Sequence, residues 1–229
     1  MHAPARGRRA RAGFLHGCGG FTLLELLVVL AVVGLLAAML LPALARAKTR
    51  AQSAVCAGQL RQMGLALRMY AADHEDEWPR SQHSAFAHRQ RPWGVAIAPY
   101  LGARIETWTN LRTTLYRCPA DRRPDGWSYG LNVYFELGPL DDYPGKPRTW
   151  RRVGQVHHPS ETILLSENDT QADHLMPNFW GRPEDVTDVP RNRHGSRSLY
   201  LYVDGHTEAR SFESTYRPEA GVDQWHPDP

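Results

Sequence analysis

Residues 21–41 read FTLLELLVVLAVVGLLAAMLL, twenty-one residues with a single charge, Glu25. At the helical rise such a run spans about 30 Å, the thickness of a bilayer's hydrocarbon core. A stretch this apolar has to be helical in lipid, where no water satisfies its N–H and C=O groups. The competing reading is an ordinary secretory signal with a basic start, an apolar middle and a small-residue cleavage site. This run is longer than the usual signal core, and no A-x-A site followed by polar chain closes it. The small residues Gly19 and Gly20 stand in front of it instead.

Upstream, the first twenty residues carry Arg6, Arg8, Arg9 and Arg11 and no Asp or Glu. Of the chain's 27 basic residues, 27 − 4 = 23 therefore remain against 24 acidic ones, so the overall charge of +3 becomes −1 beyond the leader. A nucleic-acid partner needs a basic face on the folded part, and here the excess sits in the leader, which argues against DNA or RNA. A mean hydropathy of −0.49 excludes a polytopic membrane protein. With 229 residues, 42% hydrophobic and 22% charged, the chain fits one ordinary domain plus extra elements, not a disordered tail or a coiled coil.

Glu25 is the informative residue of the apolar run. A carboxylate in a membrane helix costs on the order of 2.5–3.5 kcal/mol at the bilayer centre and less near an end, so it calls for a partner. Cleavage after Gly20 would place a new ammonium group on Phe21, and that amine on one subunit could neutralise Glu25 on a neighbour. A carboxylate that snorkels or is protonated is the plainer alternative. The stretch Gly20-Phe21-Thr22-Leu23-Leu24-Glu25-Leu26-Leu27 resembles the cleavage and methylation motif of type IV prepilins and type II secretion pseudopilins. The resemblance implies cleavage between Gly20 and Phe21 by a prepilin peptidase/methyltransferase and N-methylation of Phe21. It places Glu25 at the fifth mature position and Pro42 at the twenty-second, where many members of the family have a helix-loosening proline.

The arginines of the leader are nearly balanced by Arg46, Lys48 and Arg50, so the positive-inside count does not settle orientation. The resemblance does, since that peptidase works on the cytoplasmic side. It implies an inner-membrane, single-pass protein with its N-terminus cytoplasmic and its head periplasmic or extracellular. Other pilin-like subunits, met through the N-terminal helix, are the implied partners.

Beyond Pro42 a helical pattern resumes. Cys56, Leu60, Met63, Leu67 and Tyr70 recur every three or four residues, as an amphipathic helix packed on a sheet requires. Asp73 to Glu77 closes it, and Trp78-Pro79 begins irregular chain. Residues 128–135, 161–166 and 198–203 are the best strand candidates, and Asp204-Gly205 is a two-residue hairpin turn leading into residues 206–210. The segment from Pro218 has no period and reads as a loose tail. The expected architecture is α+β and pilin-like. A leader spans 1–20, a long helix 21–75 with its membrane part at 21–41, and a head with a small antiparallel sheet 76–229.

His194 and Asp204-Gly205, nine residues apart, resemble the His-x9-Asp-Gly signature of a large group of bacterial prepilin-like proteins. So do Cys118-Pro119-Ala120-Asp121, Ser128-Tyr129-Gly130-Leu131-Asn132 and His158-Pro159-Ser160-Glu161-Thr162. This resemblance implies architecture more than activity.

His194, Asp204 and His206, with Glu167 and Asp169, can be drawn as a zinc site of a metal-dependent hydrolase, though no spacing fixes its geometry before folding. The plainer reading has His194 hydrogen-bonded to a backbone group or to Asp204, bracing the hairpin. Calcium is a separate candidate, at the Asp73–Glu77 run or at Asp141-Asp142, without an EF-hand pattern at either. A solvated acidic run at a helix end is the plainer reading. Ser196 and Ser198 near His194 lack a G-x-S-x-G turn, and Cys118 has no predicted base beside it, so an enzyme is not expected. Among the three cysteines, Cys18 belongs to the leader. Cys56 and Cys118 are either two buried thiols or a bridge closing about sixty residues. The seven Trp leave open a carbohydrate- or protein-binding head that uses the N-terminal signal only for placement, although most are expected to serve as core packing.

Overall fold

The structure, a computed structural model, describes residues 22–102, 115–124, 126–136 and 150–228, apart from the side chain of His83. The chain divides into two units, Met1–Ala45 and Arg46–Pro229. Helix α1, Leu23–Asp73, runs through the boundary and contains Pro42. A proline there removes one N–H from the ladder and crowds the carbonyl four residues back, so this is where the helix is weakest. The helix ends where Glu75 and Asp76 adopt positive φ angles of 56° and 61°. Asp76 N–H then caps the Ala71 carbonyl at 2.9 Å.

In the second unit, the expected stripe is the face that α1 buries. Cys56, Leu60, Met63 and Leu67 are fully buried and Tyr70 half-buried. They pack on one face of a five-stranded sheet made of β1 (Tyr129–Asn132), β2 (Ile163–Glu167), β3 (His174–Leu175), β4 (Ser198–Tyr202) and β5 (Thr207–Arg210). The strand order is β3-β1-β2-β4-β5. Gly64 sits where the helix comes closest, since a Cβ there would lie 2.8 Å from Leu201 Cδ1. A second small sheet pairs β6 (Tyr216–Arg217) with β7 (Val222–Asp223).

The fold is α+β and pilin-like, with two departures from expectation. The sheet is mixed rather than antiparallel, because the two-residue strand β3 runs parallel to β1. Gly130 makes this pairing possible: a side chain there would press on Leu175 Cγ at 3.0 Å and on the His174 backbone at 3.1 Å.

The second departure concerns the C-terminal segment, which is not loose. In β4, Leu199 and Leu201 face the α1 core, while Tyr200 and Tyr202 belong to a second cluster with Ile163, Leu175, Phe212, Tyr216 and Trp225. A strand apolar on both faces needs two covers, and the C-terminal segment supplies the second. Trp225 is fully buried, and its carbonyl accepts from Asn132 Nδ2 at 2.7 Å. Ile163 N–H donates to the Gln224 carbonyl at 2.7 Å. Aperiodic sequence concealed this role because the segment is held by one large side chain and backbone bonds. Trp225→Ala should destabilise the head by about 3–5 kcal/mol. Denaturant unfolding would show this as a lower midpoint, whereas a loose tail would leave the midpoint unchanged.

Candidate functional site: the anchor helix and a buried polar cluster

Helix α1 begins on a reciprocal cap. Thr22 Oγ1 accepts from Glu25 N–H at 3.2 Å, and Glu25 Oε2 accepts from Thr22 N–H at 2.9 Å and from its hydroxyl at 2.7 Å. This is a Thr-x-x-Glu capping box, which satisfies otherwise orphaned N–H groups at the helix start. Glu25 therefore has a partner within its own helix, which the Thr22–Glu25 spacing already signals. Gly20 and Phe21 lie outside the described residues. From Leu23 to Leu44 the large apolar side chains are exposed all around the helix. This is the one helix among the described residues long and apolar enough to cross a membrane.

In the head, four chain segments converge at one end of the main sheet. Cys56 of α1 and Cys118, which precedes β1, are joined as a disulfide with Cα atoms 5.5 Å apart. Glu167 closes β2, and Arg193-His194 lead into β4. Glu167 Oε2 accepts from Leu199 N–H at 2.9 Å, completing the β2–β4 ladder where backbone pairing stops. Its Oε1 lies 3.0 Å from His194 Nε2 and 3.7 Å from Arg193 Nη1. The same His194 nitrogen is 3.5 Å from Cys118 Sγ. A carboxylate so buried is tolerable only because it is paired and hydrogen-bonded.

Next to it, Asp121 Oδ2 accepts from Arg123 Nη2 at 2.7 Å and from the Ser128 hydroxyl at 2.8 Å, with Arg193 Nη2 at 3.5 Å. Burial alone would raise its pKa. The guanidinium groups of Arg123 and Arg193 and the Ser128 hydroxyl outweigh that and hold the carboxyl at about 2.

The nine residues between His194 and Asp204 contain β4, so the two signature residues mark its opposite ends. Asp204-Gly205 forms the β4–β5 turn. Gly205 has φ 97°, and Asp204 Oδ1 lies 2.6 Å from His206 Nδ1. The zinc set drawn from the sequence is therefore divided: His194 meets Glu167, while Asp204 and His206 lie at the far turn. His194 is braced by Glu167, not by Asp204. Cys118 does have a neighbouring base, His194, 76 residues away in the chain, a distance no local motif bridges.

Each of the remaining signature stretches fastens the fold. Tyr129 OH donates to Gln59 Oε1 at 2.7 Å, Thr162 Oγ1 donates to the His158 carbonyl at 2.8 Å, and Asp204 N–H donates to the Pro159 carbonyl at 3.0 Å. In the Asp73–Glu77 run, Asp73 accepts from Tyr100 OH at 2.8 Å, and Glu77 pairs with Arg151 at 2.9 Å. Asp141-Asp142 and Trp108 lie outside the described residues. Trp78, Trp93, Trp127, Trp150 and Trp225 are buried and Trp180 is half-buried, so the described tryptophans are core rather than a binding platform.

A second buried cluster escaped sequence reading, although a lone carboxylate ending the apolar run YGLNVYFE could have flagged it. Glu136 Oε1 accepts from the Ser81 hydroxyl at 2.7 Å, and its Oε2 accepts from Ser81 N–H. Asp173 Oδ2 accepts from Gln82 N–H at 2.8 Å, and His174 Nδ1 lies 3.2 Å from Asp173 Oδ1.

The comparisons with known proteins agree with this geometry. Residues 15–41 match the family described as the prokaryotic N-terminal methylation motif. The chain is 33% identical over 124 residues to the type II secretion system core protein G of Pseudomonas aeruginosa, an alignment covering 54% of this chain and 80% of that one. This chain belongs to the pseudopilin family. No solved structure matches it. For a pseudopilin, the capped apolar helix is the membrane-anchoring element, and the head is the folded part that it carries.

The head's chemistry sets two measurable expectations. Replacing both Cys56 and Cys118 by Ala opens a cross-link spanning 62 residues, which should cost about 4 kcal/mol. Thermal melts should show a midpoint lower by about 8–16 °C. Separately, burial pushes Glu136 up to about 7, against the opposing pull of the Ser81 hydrogen bonds and the nearby His174. His174 is also raised: burial opposes its charge, but Asp173 and Glu136 outweigh that. Both folded values exceed their unfolded ones, so the stability these two groups contribute is fully present below their unfolded values and declines as pH rises, for Glu136 between about 4.5 and about 7. Melts at pH 5 and pH 8 should differ by about 3 kcal/mol, and Glu136→Gln should flatten the dependence.

Proposed function

We propose that this pseudopilin is a structural filament subunit, cut between Gly20 and Phe21, N-methylated on Phe21 and assembled with other pilin-like subunits through its N-terminal helix. The observation that carries this reading is the join itself. A helix apolar on every side from Leu23 to Leu44 starts on Thr22-Leu23-Leu24-Glu25 and continues into the stripe that packs a folded head. Such a helix is stable only in lipid or among similar helices. Cleavage after Gly20 would leave Phe21 as the single residue before the Thr22 cap. Its ammonium group would then sit within one residue of the Glu25 carboxylate's own cap, where a neighbouring subunit's amine competes for the same oxygen. Pro42 would give the helix a point at which to yield during packing.

The machine served would be a type II secretion or type IV pilus-like system, with the leader cytoplasmic, the anchor in the inner membrane and the head periplasmic. In this reading the head is a packing and recognition surface rather than an enzyme and needs no cofactor. Supporting this, its signature polar residues are engaged in closing strands and turns. The burial of the described tryptophans weighs against a carbohydrate-binding platform.

Intact-mass analysis of protein purified from its native membrane tests the processing. Residues 21–229 plus one methyl group are expected, and an uncut chain or a cut beyond Leu41 would overturn the reading. Glu25→Ala tests the assembly: the variant should be processed normally yet drop out of cross-linked oligomers, and unchanged cross-linking would remove the role given to Glu25.

A further inference from the structure

The disulfide end of the head holds a second chemistry. Cys56 Sγ, Cys118 Sγ, His194 Nε2 and Glu167 Oε1 all lie within 4.8 Å of one another, and all four residues are buried. They come from α1, the segment before β1, the end of β2 and the segment before β4, so the folded head alone brings them together. We propose that, when the Cys56–Cys118 bond is reduced, these four groups bind one zinc ion in a closed site of two thiolates, one imidazole and one carboxylate.

The distances support this donor set. Tetrahedral zinc with Zn–S of about 2.3 Å and Zn–N or Zn–O of about 2.0–2.1 Å needs edges of about 3.5 Å between S and N and about 3.3 Å between N and O. The structure has 3.5 Å from Cys118 Sγ to His194 Nε2 and 3.0 Å from His194 Nε2 to Glu167 Oε1. The two sulfurs are the pair that has to part, to about 3.8 Å. Thiolate and imidazole donors favour zinc over calcium or magnesium.

Charge is compatible as well. Two thiolates, one carboxylate and Zn²⁺ sum to −1, and the buried Arg193 guanidinium, 3.7 Å from Glu167 Oε1, offsets it. Among the described residues nothing hydrogen-bonds His194 Nδ1. A proton on Nε2 faces Glu167 in the disulfide form, and a metal at Nε2 requires that proton to move to Nδ1, whose lack of a partner is a cost the site has to meet.

The conversion balances with a dithiol as co-reactant. The dithiol gives up two electrons and two protons as its own sulfurs close into a disulfide, while the Cys56–Cys118 S–S bond breaks and leaves two thiols. Zinc(II) then displaces one proton from each thiol to solvent, without changing its oxidation state. The disulfide ties two of these segments together, and the metal would tie all four.

The test uses the full chain in detergent carrying Cys18→Ser, so that Cys56 and Cys118 are its only thiols. The protein is reduced with a dithiol, desalted without oxygen and titrated with Co²⁺ alone as the spectroscopic probe. One equivalent should bind, giving thiolate-to-cobalt charge-transfer bands in the near ultraviolet and the visible bands of tetrahedral cobalt, both erased by Zn²⁺. The oxidised chain should bind at least about 100-fold more weakly, the upper end of what losing even an outer-shell partner costs. In the reduced state, His194→Ala and, as a shape-conserving second variant, Glu167→Gln should each weaken binding and shift the visible bands, whereas His206→Ala at the distant turn should do neither. A reduced chain that takes up no cobalt would overturn the proposal. So would equal affinity in the oxidised chain, or spectra unchanged by both His194→Ala and Glu167→Gln.

Discussion

The head depends on the two-sided burial of its central strands. β2 and β4 are short and apolar on both faces, so neither can rest against water, and a single covering layer would leave half of their surface exposed. The stripe of α1 covers one face and the segment from Phe212 to Trp225 covers the other. Fully burying one large apolar side chain contributes roughly 1.5–3 kcal/mol, and every aromatic residue of the second cover contributes on that scale. At the strand ends, where backbone pairing runs out, Glu167 accepts from Leu199 N–H and Asn132 Nδ2 donates to the Ile163 and Trp225 carbonyls.

That division explains which parts of the structure are legible in the sequence. The apolar run, the helical stripe from Cys56 to Tyr70 and the Asp204-Gly205 turn are local patterns. Each depends on a period or a dipeptide and survives translation into structure with boundaries moved by a residue or two. The C-terminal cover, the parallel strand β3 and the Glu136 cluster depend on partners far away in the chain. Trp225 looks like any tryptophan in a proline-rich tail until Asn132, 93 residues earlier, is seen bonded to its carbonyl. For the same reason the metal-like set drawn from neighbouring residues mixed two ends of one strand. Spacing along β4 reads as proximity in a sequence but is separation in a strand.

The His-x9-Asp-Gly signature illustrates how a recurring pattern can be architectural. His194 needs a buried acid to orient it, the strand needs its length, and the turn needs Gly205 at a φ that side chains disfavour. Fixing the two ends of the strand fixes the register between them, and with it which of Leu199, Tyr200, Leu201 and Tyr202 faces which cover.

The placement of Cys56 has a mechanical meaning. It is the first fully buried residue of α1 counted from the anchor. A helix pulled from one end detaches from a sheet by peeling, one contact at a time, which takes little force because each step breaks only what lies at the fork. A covalent tie at the first fully buried contact stops the fork before it opens far. Tension carried along the helix must then load the bonded sheet end and the whole buried stripe together, in shear.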